Sequence, residues 1–181
     1  MRQFSGLEKQ IIQELVNHPV GAKEGMIRVS KFLEDHYVGP THDLSIFINM
    51  DKKSVLISVP QPGDLLIREK VILIATLFNL LRDLREEGKL SLIGETKNIT
   101  GSLGNQFKNG QTLELTSDLG NIIIDYFDKL ILISEDLRHL VNTGFKDPEH
   151  ERHRQTMIVS VAALIIAVLL GLWGIFKDVF Q

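Results

Sequence analysis

The chain has 181 residues, 24% of them charged, a formal net charge of −3 at pH 7 and no cysteine. Such a balance excludes a disordered polyelectrolyte and any bulk attraction to polyanions, so an affinity for nucleic acid has to come from local patches. The lack of cysteine fits a reducing compartment, and a soluble part of about 150 residues is enough for one domain with a modest core.

Ser5-Gly6-Leu7-Glu8 reads as a capping box, in which the serine oxygen accepts from the N3 amide and the glutamate reaches back to the cap amide, so a helix starts here. Leu7, Ile11, Ile12, Leu15 and Val16 keep helical spacing until Asn17-His18-Pro19 ends the run. Residues 22–37 repeat the period through Met26, Val29, Phe32, Leu33, His36 and Tyr37, with Gly39-Pro40 as the stop. The period then changes. Leu44, Ile46 and Ile48 alternate against Ser45 and Asn49, and Val55, Ile57 and Val59 against Ser54 and Ser58, which predicts a hairpin across the turn Met50-Asp51-Lys52-Lys53.

Asp64 is placed to cap a long helix running to about Glu87, and its middle, residues 71–81, is apolar nearly all round, as a central core helix would be. Residues 89–93 and 111–116 alternate and predict two strands that pair across the Asn/Gly-rich loop 94–110. Helical spacing resumes over residues 118–127. Residues 129–133 form a short apolar run, strand or buried turn, and Ser134 can cap a last helix through Leu137, Leu140 and Val141.

Residues 157–176 carry no charge and one polar side chain, Ser160. A helix needs roughly 20 apolar residues to cross a bilayer, so this run predicts a single transmembrane helix, with Trp173 and Phe176 near one interface and Arg152, His153 and Arg154 near the other. Lys146, Arg152 and Arg154 precede it and Lys177 follows, which orients the N-terminal domain toward the cytoplasm in a single-pass protein of the inner membrane. The expected organisation is a soluble domain at 1–143, a juxtamembrane linker at 144–156, the span at 157–176 and a short tail at 177–181.

Three helices followed by a strand pair resemble a winged helix, with residues 64–87 as recognition helix and 89–116 as wing. The expected fold class is therefore α+β, a winged-helix-like cytoplasmic domain with an extra β-hairpin at 43–59, followed by one C-terminal transmembrane helix. On the supposed recognition helix Arg82, Arg85 and Lys89 are interleaved with Asp83, Glu86 and Glu87, and the wing offers Lys97 and Lys108. That balance argues against tight duplex binding, because phosphate neutralisation supplies most of such affinity. A nucleotide or short single-stranded oligonucleotide needs fewer cations, which makes Arg82, Arg85, Lys89, Lys97 and Lys108 the candidate ligand contacts.

His150 and His153 stand at i and i+3 without a further ligand in the zinc-protease spacing, so no metal is expected. No phosphate loop, nucleophile elbow or cysteine site points to an enzyme or a cofactor. In the apolar run Ser160, Ala163, Ala167, Gly171 and Gly174 fall at steps of three and four, a small-residue stripe of the kind that lets helices approach closely in lipid, either as packing surface or pore lining. Self-association into a homo-oligomer follows.

The apolar run at 157–176 and the charged segment 144–154 before it resemble the small single-span membrane effectors of bacterial anti-phage defence, of the CBASS or Hailong type. What that resemblance implies is an oligomeric, ligand-regulated pore or membrane-disrupting effector, with the lipid bilayer, further copies of itself, a nucleotide signal and an enzyme making that signal as partners. The alternatives are a membrane-tethered winged-helix DNA-binding regulator and a membrane scaffold.

Overall fold

The computed structural model describes residues 2–19, 25–49, 51–60, 64–95, 101–104, 107, 110–145, 156–161 and 163. The chain divides into two units, Arg2–Asn142 and Thr143–Gln181. The first is a mixed α+β unit with two antiparallel sheets.

Helix α1, Gly6–Val16, starts at the capping box: the Glu8 amide donates to Ser5 Oγ at 3.2 Å and the Ser5 amide to Glu8 Oε2 at 2.7 Å. It buries Ile11, Ile12, Leu15 and Val16. Strand β1, Met26–Arg28, runs straight into helix α2, Val29–His36, whose inner face is Val29, Phe32 and Leu33. After a 3-10 turn at Pro40–His42 come strands β2, Ser45–Asn49, and β3, Ser54–Val59. Helix α3, Asp64–Glu86, buries Ile67, Ile74, Leu77, Phe78, Leu80, Leu81 and Leu84. Each such side chain taken from water stabilises the fold by roughly 1.5–3 kcal/mol. Strands β4 (Leu90–Ile93), β5 (Gly101–Leu103) and β6 (Gln111–Glu114), helix α4 (Ser117–Tyr126), strand β7 (Leu130–Ile133) and helix α5 (Glu135–Asn142) complete the unit.

The smaller sheet has the order β1-β7-β4 and the larger β5-β2-β3-β6. This overturns the winged-helix reading. Residues 89–93 and 111–116 were expected to pair with one another as a wing, yet β4 pairs with β7 and β6 with β3, in different sheets. Alternation in a short run states which face is apolar but does not name the neighbour, and here β3 and β7 take the two strands. The hairpin at 43–59 is no appendage, because β2 and β3 form the centre of the four-stranded sheet. The helix expected over residues 22–37 starts only at Val29, since Gly25 takes φ +73° and Ile27 pairs with Ile131.

The single transmembrane helix, and with it location as a single-pass protein of the inner membrane, is overturned as well: no helix among the described residues is long and apolar enough to cross a membrane. Helix α3 has 23 residues but carries Asp64, Arg68, Glu69, Lys70, Arg82, Asp83, Arg85 and Glu86. Residues 156–161 and 163 are helical. Residues 162 and 164–176 of the expected span lie outside the described residues.

Candidate functional site

The four-stranded sheet turns one face into the core through Ile46, Ile48, Val55, Ile57 and Val59, all 3% exposed or less. Successive side chains on a strand point to opposite faces, so Ser45, Phe47 and Asn49 of β2 and Ser54, Leu56 and Ser58 of β3 share the other one. The register sets Phe47 opposite Leu56 on one side and opposite Ser102 of β5 on the other, and Ser58 opposite Thr112 of β6. An aromatic ring therefore sits in the middle of this face beside Leu56, with hydroxyls and an amide around them and Glu114 of β6 opposite Leu56. The ring is half-buried there.

A groove of about 400 Å³ lies over this face, with Phe47 and Leu56 as its apolar floor and Asn49, Ser102 and Thr112 around them. No charged side chain lines it. Lys52 and Lys53 are exposed on the β2–β3 turn, which Asn49 holds by accepting the Lys52 amide at 3.1 Å. At the other end of the face the chain closes down on the sheet. A Cβ added to Gly104 would lie 2.6 Å from Ser45 Oγ, and one added to Gly110 would lie 2.4 Å from the Val59 carbonyl and 2.8 Å from Phe107 Cβ. Ser45 and Ser58 are buried by this approach, and Ser58 Oγ has no hydrogen-bond partner among the described residues.

The cations singled out from the sequence do not converge on the groove. Arg82 is half-exposed with Nε 3.5 Å from Asp83 Oδ1. Arg85 donates to the Tyr126 hydroxyl at 3.4 Å and its guanidinium stands 5.9 Å from that ring. Lys89 pairs with Glu87 and lies 5.6 Å from the Phe4 ring centroid. Arg85 and Lys89 thus tie the end of α3 and the turn after it to Tyr126 and Phe4, while Arg82 is paired within α3 itself. Lys97 and Lys108 lie outside the described residues, as do Ala167, Gly171 and Gly174 of the small-residue stripe. Ala163 is helical, and the Ser160 hydroxyl donates to the Thr156 carbonyl at 2.8 Å.

A second cluster joins α1 to α2. His18 is 3% exposed, with Nε2 3.1 Å from Asp35 Oδ2, and its ring centroid lies 5.2 Å from that of His36. The Tyr37 hydroxyl donates to Glu14 Oε2; burial, then the Glu14 carboxylate, push the phenol far above its ordinary range. Burial pulls His36 below its usual value. Among the described residues no group of three or more acidic, histidine or cysteine side chains is arranged to hold a metal.

No protein-family model, no curated protein and no solved structure matches the chain.

The residue that sequence reasoning passed over is Phe47. In residues 44–49 the apolar positions are the even ones, so a phenylalanine at 47 stands on the polar parity of its own strand. That departure from alternation is legible without coordinates. Ser102 and Thr112 carry no such signal, because their strand partners decide where they lie.

Proposed function

We propose that the Arg2–Asn142 unit is a sensor domain that binds a nucleotide or a short single-stranded oligonucleotide on the open face of its four-stranded sheet. What carries this reading is the half-exposed Phe47 ring at the floor of an uncharged groove. Every base has a π-face, and stacking on an aromatic side chain contributes about 1–3 kcal/mol per base. Asn49, Ser102 and Thr112 offer donors and acceptors to a base edge, and a duplex, whose bases are already stacked, would not present a free face to Phe47. The phosphates would be met by Lys52 and Lys53 of the turn between β2 and β3. Ligand-controlled self-association is the output this reading assigns, with a partner enzyme supplying the signal.

The test is a titration of the full chain with mononucleotides and short single-stranded homopolymers, followed by Phe47→Ala and Phe47→Tyr. Alanine should weaken binding about 5- to 150-fold, the range that one lost stack implies, while tyrosine retains it. Absence of saturable binding to any of these probes, or equal affinity of a folded Phe47→Ala protein, would overturn the reading.

A further inference from the structure

A second cleft, of about 440 Å³, lies where the two sheets approach one another. Its walls come from β1 and α2 on one side and from Leu103 of β5 on the other. Both strands are edges. β1 pairs with β7 alone and β5 with β2 alone, so each has one edge with no partner strand among the described residues. An unpaired edge presents a row of backbone donors and acceptors that a further strand can satisfy. β1 spans three residues and pairs with β7 residue for residue, without a proline or a bulge.

The side chains beside that edge are apolar and charged in a fixed order. Met26 and Arg28 share the outer face of the sheet, two residues apart, with Met26 at 38% exposure. Across the pair lie Leu132, 41% exposed, opposite Met26, and Leu130 opposite Arg28. Arg28 gives Nη1 to Asp128 while its side chain stays 45% exposed, and a guanidinium has five N–H donors. Lys31, 49% exposed, stands on the first turn of α2 in the same cleft, 3.2 Å from Glu34 and 2.7 Å from Asp35. A polyphosphate would meet these carboxylates as well as the cations, so charge of both signs disfavours it here. One carboxylate at a time is a better match.

We infer that this cleft binds an extended peptide segment of a partner protein, added as a strand to the free edge of β1. Such addition takes affinity from main-chain hydrogen bonds and selectivity from alternate side chains. Cross-strand neighbours on one face interact directly, so the peptide carries an apolar residue beside Met26 and, two positions along, an aspartate or glutamate beside Arg28 and Lys31. The site is separate from the groove over Phe47. Leu103 lines this cleft and Ser102 the other, which places the two on opposite faces of β5.

A displayed library of random octapeptides, selected on the full chain, supplies the probe. The enriched peptides should show the apolar–x–acidic pattern, and a synthetic copy of one should bind saturably by fluorescence anisotropy. Arg28→Glu should weaken that copy at least tenfold, and replacing its acidic residue by lysine should restore binding to the variant, an outcome that a merely unfolded protein could not give. N-methylation of one alternate set of peptide amides should abolish binding and of the other set should not. Phe47→Ala should leave the peptide's affinity unchanged, so failure of the nucleotide reading and failure of this one are told apart. No enrichment over an unrelated protein, equal binding to Arg28→Glu, or indifference to N-methylation would each overturn the inference.

Discussion

At the scale of single residues, the groups between α1 and α2 link folding to pH. Burial holds the His36 imidazole below its ordinary 6.5, with His18 and His42 acting in the same sense and Glu14 and Asp35 opposing them. A folded value below the unfolded one means that the unfolded chain takes up the proton first. This contribution to stability is complete above about pH 6.5 and is lost as the pH falls from there through the folded value. Asp35 acts lower on the scale. Burial alone would raise its carboxyl, but the Lys31 ammonium and the His18 ring outweigh it and leave it below the ordinary range, so its contribution is present above that range and is lost as the pH drops through its folded value. The denaturant midpoint is therefore expected to fall between pH 8 and pH 5.5, and His36→Gln should reduce that fall. An unchanged pH dependence in the variant would assign the effect to other groups.

At the N-terminus of α1 the capping box is joined by Arg2, which contacts both Glu8 and Asp83. Burial would raise the Glu8 carboxyl, yet the Ser5 amide and hydroxyl and the Arg2 guanidinium hold it below the ordinary value. Ser5→Ala removes an oxygen that the Glu8 amide uses, and should cost about 0.5–2 kcal/mol in urea unfolding. A loss much below that would mean that Arg2 and the backbone satisfy the helix end without the serine.

At the scale of elements, what could be read from sequence was whatever depended on residues close in the chain. The capping box at Ser5 and the alternation of 44–48 and 55–59 are local patterns, and α1 and the β2–β3 hairpin are where they point. β1 was hidden because Met26-Ile27-Arg28 also fits the helical period of Val29, Phe32 and Leu33; only the distant partner Ile131 makes it a strand. β6 was assigned to the wrong neighbour for the same reason. Its attachment to β3 depends on a close approach that composition could not disclose, with Gly110 set against the Val59 carbonyl and Phe107. Gly110→Ala should accordingly cost about 1–3 kcal/mol, the usual penalty of forcing a group into filled space. Gly6→Ala, where nothing lies within 4 Å of the added carbon and φ is not positive, should cost nothing measurable. Equal midpoints for the two variants would show that the loop end yields without loss.

The candidate site was legible in a single letter, Phe47 on the polar parity of its strand, while the cations chosen from sequence are spent on internal contacts at Asp83, Tyr126 and Glu87. The carboxylates Asp83 and Glu87 are close in the chain and could be counted from sequence, but the aromatic partners Tyr126 and Phe4 come from other elements, and both kinds of neighbour decide whether the charge is available to a ligand.

At the scale of the whole molecule, every buried hydrophobic side chain among the described residues lies between Phe4 and Leu140. Both sheets and the helices that cover them close within Arg2–Asn142. A unit of this size that buries its own core needs no further segment to fold, since the apolar area it removes from water is what offsets its chain entropy. A chain ending at Asn142 is therefore expected to unfold in urea as a single cooperative transition, with a slope in the range of about 1–3 kcal/mol/M for a small domain. It should also keep the nucleotide affinity assigned to Phe47, because β2, β3, β5 and β6 are all retained. A broad, non-cooperative transition would mean that residues beyond Asn142 complete the core. Cooperative unfolding with nucleotide binding lost would instead place part of the ligand site in the segment removed.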